Sequence, residues 1–215
     1  MRNNLSRRFG RKYEIRKESK KILIFTNGEK TEVNYFSKKK QEIRKNTIEI
    51  DISFYNSTPM GLVDNVMKLI QNNNIKIDDS TDNDECWVVF DKDDFDGNFD
   101  NAINKAESNN LKVAYSNESF ELWFLLHFIP LTSAISRDDY KTKIEDNIIK
   151  ITKNKKFKYE KNLEGMSSLI INKEKDAIRN AKKLLIMHKE KKSFQKKNPS
   201  TTVHLLVESL NKLKE

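Results

Sequence analysis

The run Asp91-Lys92-Asp93-Asp94-Phe95-Asp96 follows directly on an apolar segment, residues 86–90. Asp91 and Asp93 are two apart, so in extended backbone their carboxylates can share a side. Two such groups repel unless a cation or a proton lies between them. A hard divalent ion such as Mg²⁺ suits that position, because it takes one or two carboxylates and completes its shell with water and substrate phosphate. A polar turn whose aspartates cap the next helix fits the same spacing. A second acidic group lies in Asn27-Gly28-Glu29-Lys30-Thr31-Glu32, where Glu29 or Glu32 could join the aspartates around a metal. There the other reading is helix capping, with Thr31 and the glutamates favouring a helix start.

Two metal or nucleotide motifs are excluded. No G-x-x-x-x-G-K-[ST] occurs, so the first turn is not a P-loop. A calcium loop ending its D-x-D-x-D-G register at Gly97 would place Ile103, not Glu, at its last ligand position.

The elements that must position these residues alternate. Residues 21–26 and 86–90 are continuous apolar runs, as in strands covered on both faces. Residues 47–54 alternate Ile48, Ile50, Ile52 and Phe54 with Glu49, Asp51 and Ser53, which predicts a half-exposed strand near an edge. Residues 111–115 form a fourth strand. Helices are predicted over 30–44, over 59–71 with Thr58 as cap and Pro59 at the first position, over 98–108, and over 120–128 with Ser119 as cap. Four strand–helix alternations imply right-handed crossovers and a parallel sheet, with ligands gathering at the strands' carboxyl ends. Helical spacing then recurs over 136–151, around 170–185, and from Asn198-Pro199 onward. The expected organisation is therefore a basic arm over residues 1–20, an α/β domain over 21–130, and an all-helical, Lys-rich part over 131–215.

Composition narrows the classes. The 215 residues carry 41 Lys+Arg against 32 Asp+Glu, a formal charge of +9, and include 5 Gly, 3 Pro and 1 Cys. Collagen-like, disulfide-stapled and cysteine zinc-finger classes are excluded. No stretch approaches 18 apolar residues, and the first residues have no apolar core, so a soluble, cytoplasmic protein is expected. The charge is unevenly spread. Residues 1–21 carry 9 basic and 2 acidic side chains, residues 139–197 carry 18 and 8, and residues 78–100 carry 1 and 10. A Lys-rich solvated surface accounts for such blocks, and so does a basic surface for phosphates flanking an acidic metal site.

Four segments, in order, carry a resemblance: ILIFTNGEKTEVNYF (22–36), VVFDKDD (88–94), SNESFELWFLLHF (116–128) and NPSTTVHLLVE (198–208). Together they resemble the RloB family, the second component of AbiL-type abortive-infection systems. The resemblance implies a Toprim-like parallel-sheet α/β core and phosphodiester cleavage dependent on Mg²⁺ or Mn²⁺. It also implies an anti-phage role beside an AAA/ABC-type ATPase partner. Asp91 and Asp93 match the D-x-D of the Toprim pattern, and Glu32 matches a later acidic position of the first motif. Two positions depart from the family. Asn27 stands where relatives often carry Glu in E-G-x-x-T-E, leaving Glu29 or Glu32 to substitute, and Glu118 stands where they carry Pro in S-N-P.

On these grounds Glu29, Glu32, Asp91 and Asp93 are the expected catalytic residues, with Asp91, Asp93 and Glu32 as metal ligands. Lys30, Lys92, Ser116, Asn117, Ser200 and Thr201 are expected on the substrate. The substrate is nucleic acid, DNA or RNA with tRNA among the candidates. Assembly of several copies is a further possibility. A non-catalytic sensor or regulatory subunit bound to the ATPase is the alternative that Asn27 keeps open. Glu121 reads equally as a site residue or a satisfied buried acid. His127, His188, His204, Cys86, Trp87 and Trp123 read as core.

Overall fold

Strands covered on both faces need apolar side chains in both directions, and three segments supply them. In β1 (Lys20–Thr26), Ile22 and Ile24 face one core while Leu23 and Phe25 face another. In β3 (Glu85–Asp91), Trp87 and Val89 share the first core, and Cys86, Val88 and Phe90 the second. β4 (Lys112–Asn117) divides likewise between Ala114 and the pair Val113 and Tyr115. This period-2 division at full burial is why the runs read as unbroken in sequence. The computed structural model describes residues 20–43, 48–77, 84–93, 97–161, 163 and 165–214. Apart from the backbone of Lys20, the expected basic arm lies outside the described residues, as do Asp94 and Asp96 of the acidic run.

The sheet has five strands in the order β2-β1-β3-β4-β5. β2 (Ile48–Phe54), β1, β3 and β4 run parallel, which makes a mixed α/β fold with flanking helices. β2 is an edge strand as its alternation predicts, although Phe54 at its end is exposed. On one face lie α2 (Pro59–Asn72) and α3 (Phe99–Glu107), through Leu62, Val63, Val66, Phe99, Ala102, Ile103 and Ala106. Thr58 caps α2 by accepting the Gly61 N–H at 3.1 Å.

The other face carries α1 (Thr31–Glu42) and α4 (Glu121–Leu126), joined by α5 (Arg137–Thr152), α6 (Met166–Ile170), α7 (Glu174–Met187) and α8 (Val203–Lys212). Side chains on both sides of residue 130 share this core. Ser136 and Asp139 form a reciprocal capping box at the start of α5.

Three local expectations are corrected. α4 is shorter than 120–128, and Ser119 makes no side-chain cap. Asn198-Pro199 does not open the last helix, which begins at Val203. In between, Ser200–Thr201 form β5, antiparallel to β4, so the helical C-terminal part returns one short strand to the sheet. The hydroxyls here join β4 to the start of α8, with Thr201 Oγ1 accepting the Val203 N–H at 3.2 Å. Thr201 Oγ1 donates to Tyr115 O at 2.9 Å, and Thr202 Oγ1 accepts from Tyr115 N–H at 2.9 Å.

Candidate functional site

β1 and β3 are neighbours and end on the same side of the sheet, so the turn after Thr26 and the residue Asp91 are brought together. The register places Thr26 beside Val89, two residues before Asp91. The turn is fixed by backbone: Asn27 N–H donates to Val89 O at 3.2 Å, and Thr26 Oγ1 donates to Gly28 O. α1 starts at Thr31 and folds the buried Glu32 back over the turn. A Cβ on Gly28 would run into the Glu32 carboxylate, so glycine leaves that carboxylate its present place.

Asp91 is buried at the end of β3, and its Oδ2 accepts the Phe120 N–H at 2.9 Å at the start of α4. Asp93 takes a positive φ of 45°, a conformation that Asp tolerates better than most residues, and its N–H donates to Glu118 O at 3.2 Å. Its carboxylate is ion-paired to Arg137. Glu121 is buried in the first turn of α4 and accepts the Tyr159 hydroxyl at 3.3 Å.

These groups surround a cavity of about 270 Å³. Asn27, Gly28, Glu29, Lys30, Thr31 and Glu32 form one wall, Asp91, Asp93, Phe120 and Glu121 the other, and Lys161 closes it. The electrostatics are dominated by burial and mutual repulsion. Burial pushes the Glu32 carboxyl up to about 7, with Glu121 and Asp93 adding to the rise and its own backbone N–H and Lys161 opposing it. Asp91 is held well above the carboxylate range by burial first, then by Glu32, Asp93 and Glu121. Burial and mutual repulsion thus favour the protonated forms of both carboxyls, and a divalent cation between them would favour ionisation.

The donor set fits a hard cation on an open site, where two carboxylates suffice. It does not form a closed cage: among the described residues no three His, Cys, Asp or Glu side chains are grouped to hold a metal ion. Glu32 and Asp91 are thus the natural holding pair, and Asp93 is engaged by Arg137.

Of the expected residues, the fold brings Glu29, Lys30, Glu32, Asp91 and Asp93 to one cavity, with Glu29 and Lys30 on its exposed rim. The others do not line it. Lys92 is directed to Glu118 at 3.8 Å. Ser116 and Thr201 pair their hydroxyls at 3.2 Å across the β4–β5 junction. Ser200 is buried in β5. The Asn117 amide donates to Phe194 O and Gln195 O at 2.8 and 2.9 Å. These four polar residues build the sheet edge rather than face a substrate.

Glu118 has φ 96°, which proline's ring cannot adopt, so the backbone here departs from a proline-bearing turn. Its side chain accepts from Asn198 Nδ2 at 2.8 Å. His127 is a core residue: Nδ1 lies 2.9 Å from Trp123 O, and burial lowers it to about 4, so it is neutral. Burial pushes the Cys86 thiol up to about 12, which keeps it from acting as a thiolate.

Arg137, Tyr159 and Lys161 are site residues that the sequence pattern did not single out. Tyr159 and Lys161 come from a segment without periodicity. Arg137 had one signal, as one of two arginines after residue 130 in a lysine-rich stretch.

A family described as RloB-like protein matches residues 22–210. Neither the curated proteins nor the solved structures contain a match to the chain. No described helix is long and apolar enough to cross a membrane.

Proposed function

The chain belongs to the RloB-like protein family, and from that premise we propose that it is a metal-dependent nuclease. It would hydrolyse nucleic-acid phosphodiester bonds as the effector of an anti-phage abortive-infection system, working with a partner ATPase. The observation that carries this reading is the buried pair of Glu32, in the first turn of α1, and Asp91, at the carboxyl end of β3, on one cavity. The likeness of the family to Toprim-fold nucleases and the match of Asp91 and Asp93 to D-x-D support it.

Glu32 and Asp91 would hold Mg²⁺ or Mn²⁺, which when bound supplies Lewis-acid polarisation of a phosphoryl oxygen. Both carboxyls give up their protons on binding, so cation affinity rises with pH. Lys161 and Lys30 line the same cavity and would neutralise the phosphate. Glu29, exposed on the rim and apart from the buried pair, would take a proton from the attacking water. Glu121 is anchored by Tyr159 and contributes negative charge that makes a cation more favourable. The lysine-rich C-terminal part would grip the nucleic-acid backbone, so activity should fall as salt rises.

The second reading, a regulatory subunit that binds the ATPase without cutting, has Asn27 on its side. It lines the cavity where a family glutamate often stands. Incubating the purified chain with tRNA, single-stranded DNA and duplex DNA, with and without Mg²⁺ or Mn²⁺, separates the two. Metal-requiring cleavage is expected. Binding to the ATPase with no cleavage of any substrate would support the regulatory reading.

A further inference from the structure

Beside the carboxylate cavity lies a second one of about 370 Å³, between α1, α6 and the segment after α5. The two share Thr31 and Lys161 as a common wall. That wall is tied across 130 residues of sequence, because Thr31 Oγ1 donates to Lys161 O. Tyr159 spans it too: its ring lines the second cavity, while its hydroxyl reaches Glu121 in the first. The groove is thus the immediate neighbour of the carboxylate site on the Lys161 side.

The lining of the groove is unlike that of a protein-docking surface. Behind it lie the buried rings of Tyr35, Phe124 and Tyr159, which pack tilted or edge-on against each other at 5.9 and 6.5 Å and make a firm apolar floor. Its rim carries the amides of Asn34 and Gln41 and the hydroxyls of Ser37 and Ser168, with Lys38 beside them. Amides offer donors and acceptors together, which is what the edge of a nucleobase requires. The volume lies at the small end of the range for one small ligand, about 300–1,000 Å³, which admits one nucleoside and not a base pair.

We propose that this groove is a nucleoside subsite, receiving the base and sugar next to the phosphate held by Glu32 and Asp91, so that the substrate is cut in a single-stranded stretch. The inference rests on the nuclease reading and adds to it the form of the substrate. A base reaches such a groove only when it is unstacked and unpaired. The amide and hydroxyl rim gives it hydrogen-bonding partners.

The test uses the full chain carrying Asp91→Asn, which keeps nucleic acid intact during measurement. Binding is read by fluorescence anisotropy with one sequence as single-stranded RNA, single-stranded DNA and duplex DNA. The single strands should bind more tightly than the duplex. Adding Ser168→Trp, at an exposed position on α6, should fill the groove and weaken single-strand binding about tenfold, the scale of one lost base contact. The melting temperature should not change. Gln41→Ala should alter which base is preferred.

Equal or tighter duplex binding, or single-strand binding unaffected by Ser168→Trp, would overturn the subsite. If Ser168→Trp alone, on the otherwise unaltered chain, cuts single strands with an unchanged KM, the subsite fails while the nuclease reading stands. If the unaltered chain neither binds nor cuts any nucleic acid, both fail. The RNA and DNA arms identify which sugar the groove accepts.

Discussion

Arg137, the first residue of α5, is ion-paired to Asp93, two residues beyond the end of β3. The contact joins the helical part of the chain to the mouth of the carboxylate cavity. Both side chains are about a third exposed, 37% and 34%, so solvent screens the pair and its contribution to stability is under about 1 kcal/mol. Its effect on the site is larger, because it occupies a carboxylate otherwise available to a cation. Arg137→Ala should leave the melting temperature almost unchanged and tighten Mn²⁺ binding severalfold in isothermal titration. Unchanged affinity would show that Asp93 is no ligand.

Gly28 makes a sharper case, since the cost of a side chain there is geometric. Its missing Cβ leaves the space filled by the Glu32 carboxylate. Gly28→Ala should displace that carboxylate with little loss of stability, because only the end of one flexible side chain has to move. Mn²⁺ affinity should fall at least about tenfold if one of two holding carboxylates is lost. Calorimetry on the folded variant would decide, and retained affinity would remove Glu32 from the metal set.

Stability should depend on pH through the same residue. The Glu32 carboxyl is raised from 4.5 to about 7 by burial, so the folded state binds its proton more tightly than the unfolded chain. That contribution is complete below about pH 4.5 and is lost as pH climbs through about 7. Glu32→Gln removes the ionisation. Without metal, the variant should match the parent near pH 4.5 and exceed it at pH 8 by up to about 3 kcal/mol. Thermal unfolding of both proteins in EDTA across that range measures the difference. A constant gap at all pH values would mean that Glu32 does not titrate there. Added Mn²⁺ should restore the parent at pH 8 by binding its folded state.

Asn117 illustrates the opposite kind of residue. It was expected on the substrate, yet its buried amide holds two carbonyls of the segment leading to β5. Asn117→Ala should cost about 1–3 kcal/mol through the unpaired carbonyls while cleavage by the remaining folded protein stays near the parental rate. A selective loss of activity at unchanged stability would return Asn117 to the site.

What the sequence revealed and what it hid follow one physical division. Strands β1 and β3 were legible because burial on both faces demands unbroken apolar runs, and β2 because an edge strand alternates. The carboxylates at their ends were legible because parallel strands must end together. β5 was not, since Ser200 and Thr201 are two residues whose hydroxyls serve a helix cap or a strand edge equally well. Their choice is set by Tyr115 and Ser116 more than 80 residues earlier. Tyr159, Lys161 and Arg137 were hidden for the same reason. Nothing local marks them, and only packing of the helical part against α1 and β3 brings them to the cavity.

If Asp91 holds a cation used for cleavage, replacing it by asparagine must abolish that cleavage. Asp91→Asn keeps an oxygen able to accept the Phe120 N–H and cannot ionise, so the fold should persist with a melting temperature at least equal to the parent's. Cleavage rates of the parent and of Asp91→Asn are measured side by side on single-stranded RNA and DNA with Mn²⁺. Metal-requiring cleavage is expected from the parent and a loss of at least about a hundredfold in the variant, the scale of one removed electrostatic group at a reacting centre. Equal cleavage by the two proteins, or cleavage by the parent that survives EDTA, would contradict it.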